Sequence, residues 1–302
     1  MTDLIGDIHG YADKLEALLE KLGYVKHSGV YSHPERKVLF IGDYIDRGPQ
    51  IRETLGIVKA MVDSGNAIAL MGNHEYNALC FHFQETQGGH LRKHLIKNIV
   101  QHYETLRQFH NRQEEYEYYL EWFKTLPLYY EADNFRAVHA CWDDKSIECL
   151  RQHLVNGRLT DALIYQSVMK GSPLNEAVDI TLKGKEMTLP AGKVFVDKEG
   201  NVRTEIRIKW WEDPSKMTLS SISVEPMEEL GEQPIGDMGL TSAGYYKDSK
   251  IVFFGHYWLT GEPSTIRRNV CCLDHSVAKG GKLVAYSFDG EGDLANGKLT
   301  YV

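Results

Sequence analysis

Leu39-Phe40-Ile41-Gly42-Asp43-Tyr44-Ile45-Asp46-Arg47-Gly48-Pro49 is an apolar run that stops at Gly-Asp and is followed at once by a second carboxylate and an arginine. Short apolar runs bounded by glycine read as buried strands. Charged groups at the carboxyl end of such a strand sit where open α/β sheets place their ligand sites. Gly-Asp alone is ordinary turn chemistry, but the pattern returns along the chain. Residues 3–7 run into Gly6-Asp7-Ile8-His9-Gly10, and Ala67 to Met71 into Gly72-Asn73-His74-Glu75. Phe135 to Val138 end at His139, and Lys250 to Phe254 at Gly255-His256-Tyr257-Trp258.

Between the first of these strands lie helical patterns. Leu15, Leu18, Leu19 and Leu22 share one face before Gly23, and Ile51, Leu55, Val58 and Val62 share another before Gly65. Strand, helix, strand, helix, strand implies a sheet built through βαβ units. Residues 90–124 are helical in pattern, with Leu91, Leu95, Val100, Tyr103 and Leu106 as the expected inward positions. The histidines at 82, 90, 94, 102 and 110 read as solvated or structural. His90 and His94 are four apart, but Leu91 stands where the metalloprotease pattern needs Glu. Cys141 reads as a bystander thiol, since a cysteine nucleophile needs an arginine cradle and Ile147 stands six residues on.

Residues 155–245 differ in texture, with Gly, Pro and Ser punctuation and acidic Glu225, Glu228, Glu229 and Glu232. Val202, Thr204, Ile206, Ile208 and Trp210 alternate with polar neighbours after Lys198-Glu199-Gly200-Asn201, the pattern of a half-buried hairpin. The expectation is one domain over residues 1–302, with 155–245 inserted either as a lid over a site or as a surface elaboration.

With 302 residues, 42% of them hydrophobic, a large core needs no disulfide or metal to hold it. A formal charge of -8 argues against a general nucleic-acid coat, though not against an anionic substrate, because bound divalent cations reverse the local field. Five cysteines, two of them adjacent (Cys271 and Cys272), show no disulfide framework and suit a cytoplasmic setting. The first residues lack a secretory pattern, and apolar runs such as Ile251-Val252-Phe253-Phe254 are too short to cross a bilayer, so no membrane association is expected.

The strand ends deliver Asp7, His9, Asp43, Asn73, His74, His139 and His256. Carboxylate, imidazole and amide oxygen without thiolate is a donor set for Mn, Fe or Zn. Two such metals clamp a phosphoryl group well. The motifs Gly6-Asp7-Ile8-His9-Gly10, Gly42-Asp43-Tyr44-Ile45-Asp46-Arg47-Gly48 and Gly72-Asn73-His74-Glu75 resemble the signature of the calcineurin-like metallophosphoesterases. The resemblance is greatest to the phosphoprotein phosphatase branch, which includes symmetrical diadenosine tetraphosphatases. Val138-His139-Ala140, Phe254-Gly255-His256-Tyr257-Trp258 and the tail from Leu273 to Tyr286 resemble that branch's later motifs and closing strands.

The resemblance implies an α/β fold, a four-layer sandwich of two mixed sheets flanked by helices. It implies two divalent ions, Mn first among them. Asp7, His9 and Asp43 would hold one, and Asp43 as bridge with Asn73, His139 and His256 the other. A hydroxide bridging the metals would attack phosphorus in line. His74, oriented by Asp46, would protonate the leaving oxygen, and Arg47 with Asn73 would bind phosphate. Trp258 stands where related nucleases carry a further ligand histidine, which favours a phosphomonoesterase or dinucleotide hydrolase. The second phosphate-binding arginine of the branch has no clear counterpart among Arg151, Arg158, Arg203, Arg207, Arg267 and Arg268. The first expected substrate is phosphoserine or phosphothreonine of a protein, then phosphotyrosine or a small phosphoester. The alternative is a dinucleoside polyphosphate or a polynucleotide end, with Trp210 and Trp211 available to stack on bases, and no stable nucleic-acid complex is expected. A binding scaffold without chemistry should have lost ligands, and none is missing.

Overall fold

In the computed structural model the chain opens with strand β1 (Thr2–Ile5), helix α1 (Ala12–Lys21), a small hairpin of β2 (Val25–His27) and β3 (Val30–Ser32), strand β4 (Lys37–Phe40), helix α2 (Ile51–Asp63) and strand β5 (Ala67–Ala69). Residues 1–86, 88–190, 192–196, 202–224, 231–232, 234–235 and 244–302 are described. Strands β1, β4 and β5 pair in parallel, Leu4 beside Leu39 and Leu39 beside Ile68. The apolar stripes of α1 (Leu15, Leu18, Leu19) and α2 (Ile51, Leu55, Val58) are buried, so each helix returns the chain to the same edge. The strands end before the charged residues, which leaves Gly42 to Gly48 as a loop beyond β4.

Helices α3 (Asn73–His82), α4 (Ile96–Gln108) and α5 (Gln113–Phe123) follow. Strands β6 (Tyr129–Glu131) and β7 (Phe135–Val138) lead to α6 (Asp144–His153), α7 (Asp161–Ser167) and α8 (Pro173–Lys183). The compact units are residues 1–183 with 250–302, and residues 184–249. The change of texture seen from residue 155 therefore precedes the structural break at Gly184, because α8 packs on α6, and α7 on α8, in the first unit.

The second unit carries β8 (Glu186–Thr188), β9 (Phe195–Val196), β10 (Val202–Arg203), β11 (Glu205–Arg207) and a short helix α9 (Leu219–Ile222). Strand β10 pairs with β9, while β11 pairs with β8, Ile206 facing Met187. The alternating run thus serves two short antiparallel pairings, the first joining the strands on either side of the expected turn. Ile206 and Ile208 are buried with Leu189, Leu219 and Ile222, whereas Val202 is 66% exposed. The expected turn at Lys198 to Asn201, and Glu225, Glu228 and Glu229, lie outside the described residues. Trp210 and Trp211 are buried, their rings edge to face at 5.9 Å, so neither offers a face for stacking on a base.

The chain closes with β12 (Ile251–Phe254), β13 (Val270–Cys272), β14 (Asp274–His275), β15 (Lys282–Phe288) and β16 (Leu299–Tyr301). One sheet runs β14-β15-β1-β4-β5, with β16 on β15, and the other runs β13-β12-β7-β6. Both are mixed: β15 is antiparallel to β1, and β6 is antiparallel to β7. Leu4, Leu39 and Tyr286 of the first sheet meet Phe135, Phe253 and Cys271 of the second in one core. This is the expected two-sheet sandwich. No disulfide joins the five cysteines, and no helix among the described residues is long and apolar enough to cross a membrane.

Helix α4 corrects the sequence reading. Leu95, Val100 and Tyr103, expected inward, are 51%, 68% and 55% exposed, while His102 and Thr105 face inward. The helix turns a polar face to the protein because buried Asp46 needs donors, and an unpaired buried carboxylate costs more than exposed aliphatic surface.

Gly42 sets the exit from β4. Its φ is +106°, and a Cβ there would lie 2.6 Å from Gly72 Cα and 2.8 Å from His139 Nδ1. Gly42→Ala should therefore destabilise the protein by about 2–4 kcal/mol. Chemical denaturation checks this; a midpoint within error of the parent would show that the loop has room.

Candidate active site

Loops at the carboxyl ends of β1, β4, β7 and β12, with the first turn of α3, converge on one buried cluster. The loop after β4 is held by Glu75, one turn into α3. Its Oε2 accepts the amide hydrogens of Asp43 (2.9 Å) and Gly72 (3.0 Å), and its Oε1 those of Tyr44 (2.8 Å) and Ile45 (3.3 Å). Burial and Asp43 push the Glu75 carboxyl up to about 7, against the pull of the Tyr44 amide. The loop it holds is strained. Asp43, Asp46 and Arg47 have φ of 56°, 66° and 70°, and His9 (49°) and His256 (73°) share that left-handed region. Side chains other than glycine rarely adopt it, and each instance costs about 1–3 kcal/mol.

The donor atoms face one another. His9 Nδ1 donates to the Ile45 carbonyl (3.0 Å), which turns its Nε2 toward Asp43 Oδ2 at 3.6 Å. His139 Nδ1 donates to the Ile41 carbonyl (2.9 Å), and its Nε2 lies 3.4 Å from Asp43 Oδ2 and 3.0 Å from Asn73 Oδ1. His256 Nδ1 lies 2.7 Å from Asn73 Oδ1, and its amide donates to Asp7 Oδ2 at 3.0 Å. His9, Asp43 and His74 form one group with ligand atoms within 4.8 Å of one another, and Asp43, His139 and His256 another. Asp43 belongs to both.

The electrostatics show what such a cluster lacks. Burial, Asp274 and Asp43 raise the Asp7 carboxyl well above the ordinary range. Burial opposes ionisation of Asp43, but the imidazoles of His139, His74 and His9 outweigh it and hold the group low. Burial and His74 bring His9 down to about 3, while Asp43 overcomes burial at His139 and lifts it to about 10. Asp7 Oδ1 and His9 Nε2 are buried without a hydrogen-bond partner. Orphaned acceptors are rare in protein interiors. Oxygen and imidazole donors pointed at a common space fit hard or borderline divalent cations.

Beside the cluster stands a carboxylate–imidazole pair. His74 Nδ1 donates to Asp46 Oδ2 at 2.5 Å, and His74 Nε2 faces Asp43 Oδ2 at 3.9 Å. Burial disfavours the imidazolium of His74, but Asp43 and Asp46 outweigh it and raise the group above ordinary imidazole. The other oxygen of Asp46 accepts from Thr105 Oγ1 (2.5 Å) and His102 Nδ1 (2.7 Å). At the mouth, the Arg47 guanidinium lies 4.1 Å from the centre of the Trp258 ring and the Lys279 ammonium 3.9 Å. Trp258 is fixed by its backbone amide, which donates a hydrogen bond to buried Asp274 Oδ2 (2.7 Å), and sits beside His9, ring centres 5.8 Å apart.

Asp7, His9, Asp43, Asn73, His139 and His256, with His74, Asp46 and Arg47, thus lie together. Sequence reasoning passed over Glu75, quoted in its motif without a role, and over His102 and Thr105. These two stand three apart on one helical face, a polar pair that the apolar pattern of α4 does not explain. Lys279 also escaped notice, and Arg151, one candidate second arginine, is engaged by Glu131.

A model of the calcineurin-like phosphoesterase family matches residues 2–257. The chain belongs to that family. A bis(5'-nucleosyl)-tetraphosphatase PrpE, designated asymmetrical, from Oceanobacillus iheyensis is 32% identical over 139 residues, 46% of this chain and 54% of its own length. The corresponding protein of Geobacillus thermodenitrificans is 49% identical over 73 residues, 24% of this chain and 30% of its own. The chain spans about half the length, or less, of these curated relatives. Their designation is asymmetrical, where the branch resemblance suggested symmetrical enzymes. A protein serine/threonine phosphatase structure from Saccharomyces cerevisiae aligns over 100% of this chain and 78% of its own at 13% identity, with a TM-score of 0.47.

A cation on this cluster must displace the His139 proton, because imidazole binds metal only as the free base. With that group near 10, cation uptake at neutral pH should release at least one proton and strengthen as pH rises toward that value. Titration calorimetry in two buffers of different ionisation enthalpy reads this; a heat of binding independent of buffer would contradict it.

Proposed function

We propose that the protein is a hydrolase dependent on two divalent cations, Mn before Fe or Zn, that splits a phosphoanhydride bond of nucleoside polyphosphates, dinucleoside polyphosphates first, releasing two phosphorylated fragments. Asp7, His9 and Asp43 would hold one cation, and Asp43, Asn73, His139 and His256 the other. The position of Asp43 Oδ2, within reach of imidazoles from both groups, carries this assignment. When bound, the cations supply an activated water and draw charge from the phosphoryl oxygens. Arg47, with its planar fork, grips two of those oxygens, and Asn73 assists. His74 gives its Nε2 proton to the leaving oxygen while Asp46 holds the Nδ1 proton and the ring orientation.

Two cations over one indole support a substrate with more than one phosphate. Arg47 and Lys279 stand no more than about 8 Å apart, the sum of their distances to the Trp258 ring centre. That span suits adjacent phosphates of a polyphosphate chain, and the names of the curated relatives point the same way. A phosphoserine or phosphothreonine protein substrate is favoured by a different observation, the buried His74–Asp46 pair. Alkoxide leaving groups need a proton far more than nucleotide ones do.

Diadenosine tetraphosphate and a phosphopeptide compared at equal concentration distinguish the readings. We expect the dinucleotide to give the larger kcat/KM, and Lys279→Ala to lower it about tenfold, the value of one charge-assisted hydrogen bond, while sparing the phosphopeptide. A preference for the phosphopeptide, with Lys279→Ala neutral on both, would return the assignment to protein substrates.

Asp43→Asn should lower metal content at both positions, read by elemental analysis of dialysed protein. A variant retaining two metals per chain would remove Asp43 from the shared role.

A further inference from the structure

Behind Asp46 the hydrogen bonds continue in one direction. Tyr116 is buried, and its hydroxyl lies 2.7 Å from His102 Nε2. Tyrosine donates to the ring nitrogen, which makes His102 the Nδ1–H tautomer, and that proton goes to Asp46 Oδ1. Thr105 Oγ1 donates to the same oxygen and accepts the Asp46 amide hydrogen at 3.0 Å. Every donor in the set has an acceptor. The three residues come from two helices, α4 and α5, that contribute none of the ligand candidates. Packing alone does not call for a histidine here: Phe81, with a ring centre 5.2 Å from that of His102, already fills the apolar side.

We propose that His102, set in its tautomer by Tyr116, is a positioning residue for the His74–Asp46 pair. It rests on the reading of His74 as general acid. Two donors on Oδ1 fix the carboxylate plane, so that Oδ2 meets His74 Nδ1 and His74 Nε2 is turned toward Asp43. They also draw charge from the carboxylate. Without His102, Oδ1 would keep only the Thr105 donor, and Asp46 would hold the His74 ring less firmly. The effect should appear only where the leaving group needs protonation.

The test uses the full chain loaded with Mn and two substrates, an alkyl phosphate and an aryl phosphate with a good leaving group. Asparagine places its amide nitrogen where the histidine Nδ1 stood; leucine places nothing there. His102→Leu should lose about 10–100-fold in kcat on the alkyl phosphate, at least tenfold more than on the aryl phosphate, and His102→Asn should recover most of it. In a His74→Asn background, His102→Leu should add almost nothing, since the two act as a unit. In metal-free protein carrying nitrogen-labelled histidine, the low-field Nδ1 proton of His74 should persist in His102→Asn and vanish in His102→Leu. Equal losses on both substrates, no recovery with asparagine, or additive losses in the His74→Asn background would overturn the positioning role while leaving His74 as the acid. If His74→Asn itself spares the alkyl phosphate, the general acid is elsewhere and both readings fall.

Discussion

One buried carboxylate holds the site in register. Glu75 takes four amide hydrogens, three of them from consecutive residues of the loop that carries Asp43. Without that grip the loop would have no reason to keep the left-handed backbone at Asp43, Asp46 and Arg47. With it, three side chains of one short loop point in three directions. Asp43 faces the donor cluster, Asp46 faces His74 and α4, and Arg47 faces the mouth beside Trp258. Strain at these residues is offset by the hydrogen bonds of a single group on a neighbouring helix, an arrangement common where function demands an unusual backbone.

The second constraint is charge. Asp7, Asp43, Asp46, Glu75 and Asp274 are all buried among the imidazoles of His9, His74, His102, His139 and His256. In such surroundings a carboxylate must find protons or cations. Asp46 finds donors on both oxygens, and Glu75 finds amides. Asp7 is left with an oxygen that nothing answers, as His9 is with a nitrogen. The imbalance lies on the side where β1, β4, β7 and β12 end, and there divalent charge would restore it. The same field explains the opposite shifts of His9 and His139: one imidazole is driven neutral, and the other holds a proton against burial.

Much of this was legible in the residues themselves. Strands that end in Gly-Asp, Gly-Asn-His or Gly-His show themselves because an apolar run followed by ligand chemistry is uncommon, and the local pattern carries the information. The runs themselves implied only a sheet built through βαβ units; the sandwich was what the family resemblance of their motifs implied. Helix α4 was misread because its apolar residues, Leu95, Val100 and Tyr103, form a stripe that periodicity assigns to the core. What decided its facing was a carboxylate more than fifty residues away, which no local pattern reports. His102 was set aside for the same reason. Lys279 reached the mouth through the closing strands, and its meaning depended on Trp258, whose placement rests on Asp274. In the second unit the alternation located buried Ile206 and Ile208 but not their partners, since β11 pairs with β8 across the intervening pair of β9 and β10.

The shared position of Asp43 is the claim on which the chemistry depends. Anomalous diffraction from a crystal soaked in Mn measures it directly. Two peaks about 3.5–4 Å apart, both within coordination distance of the Asp43 carboxylate, are expected. A single peak, or two of which only one touches Asp43, would contradict the account.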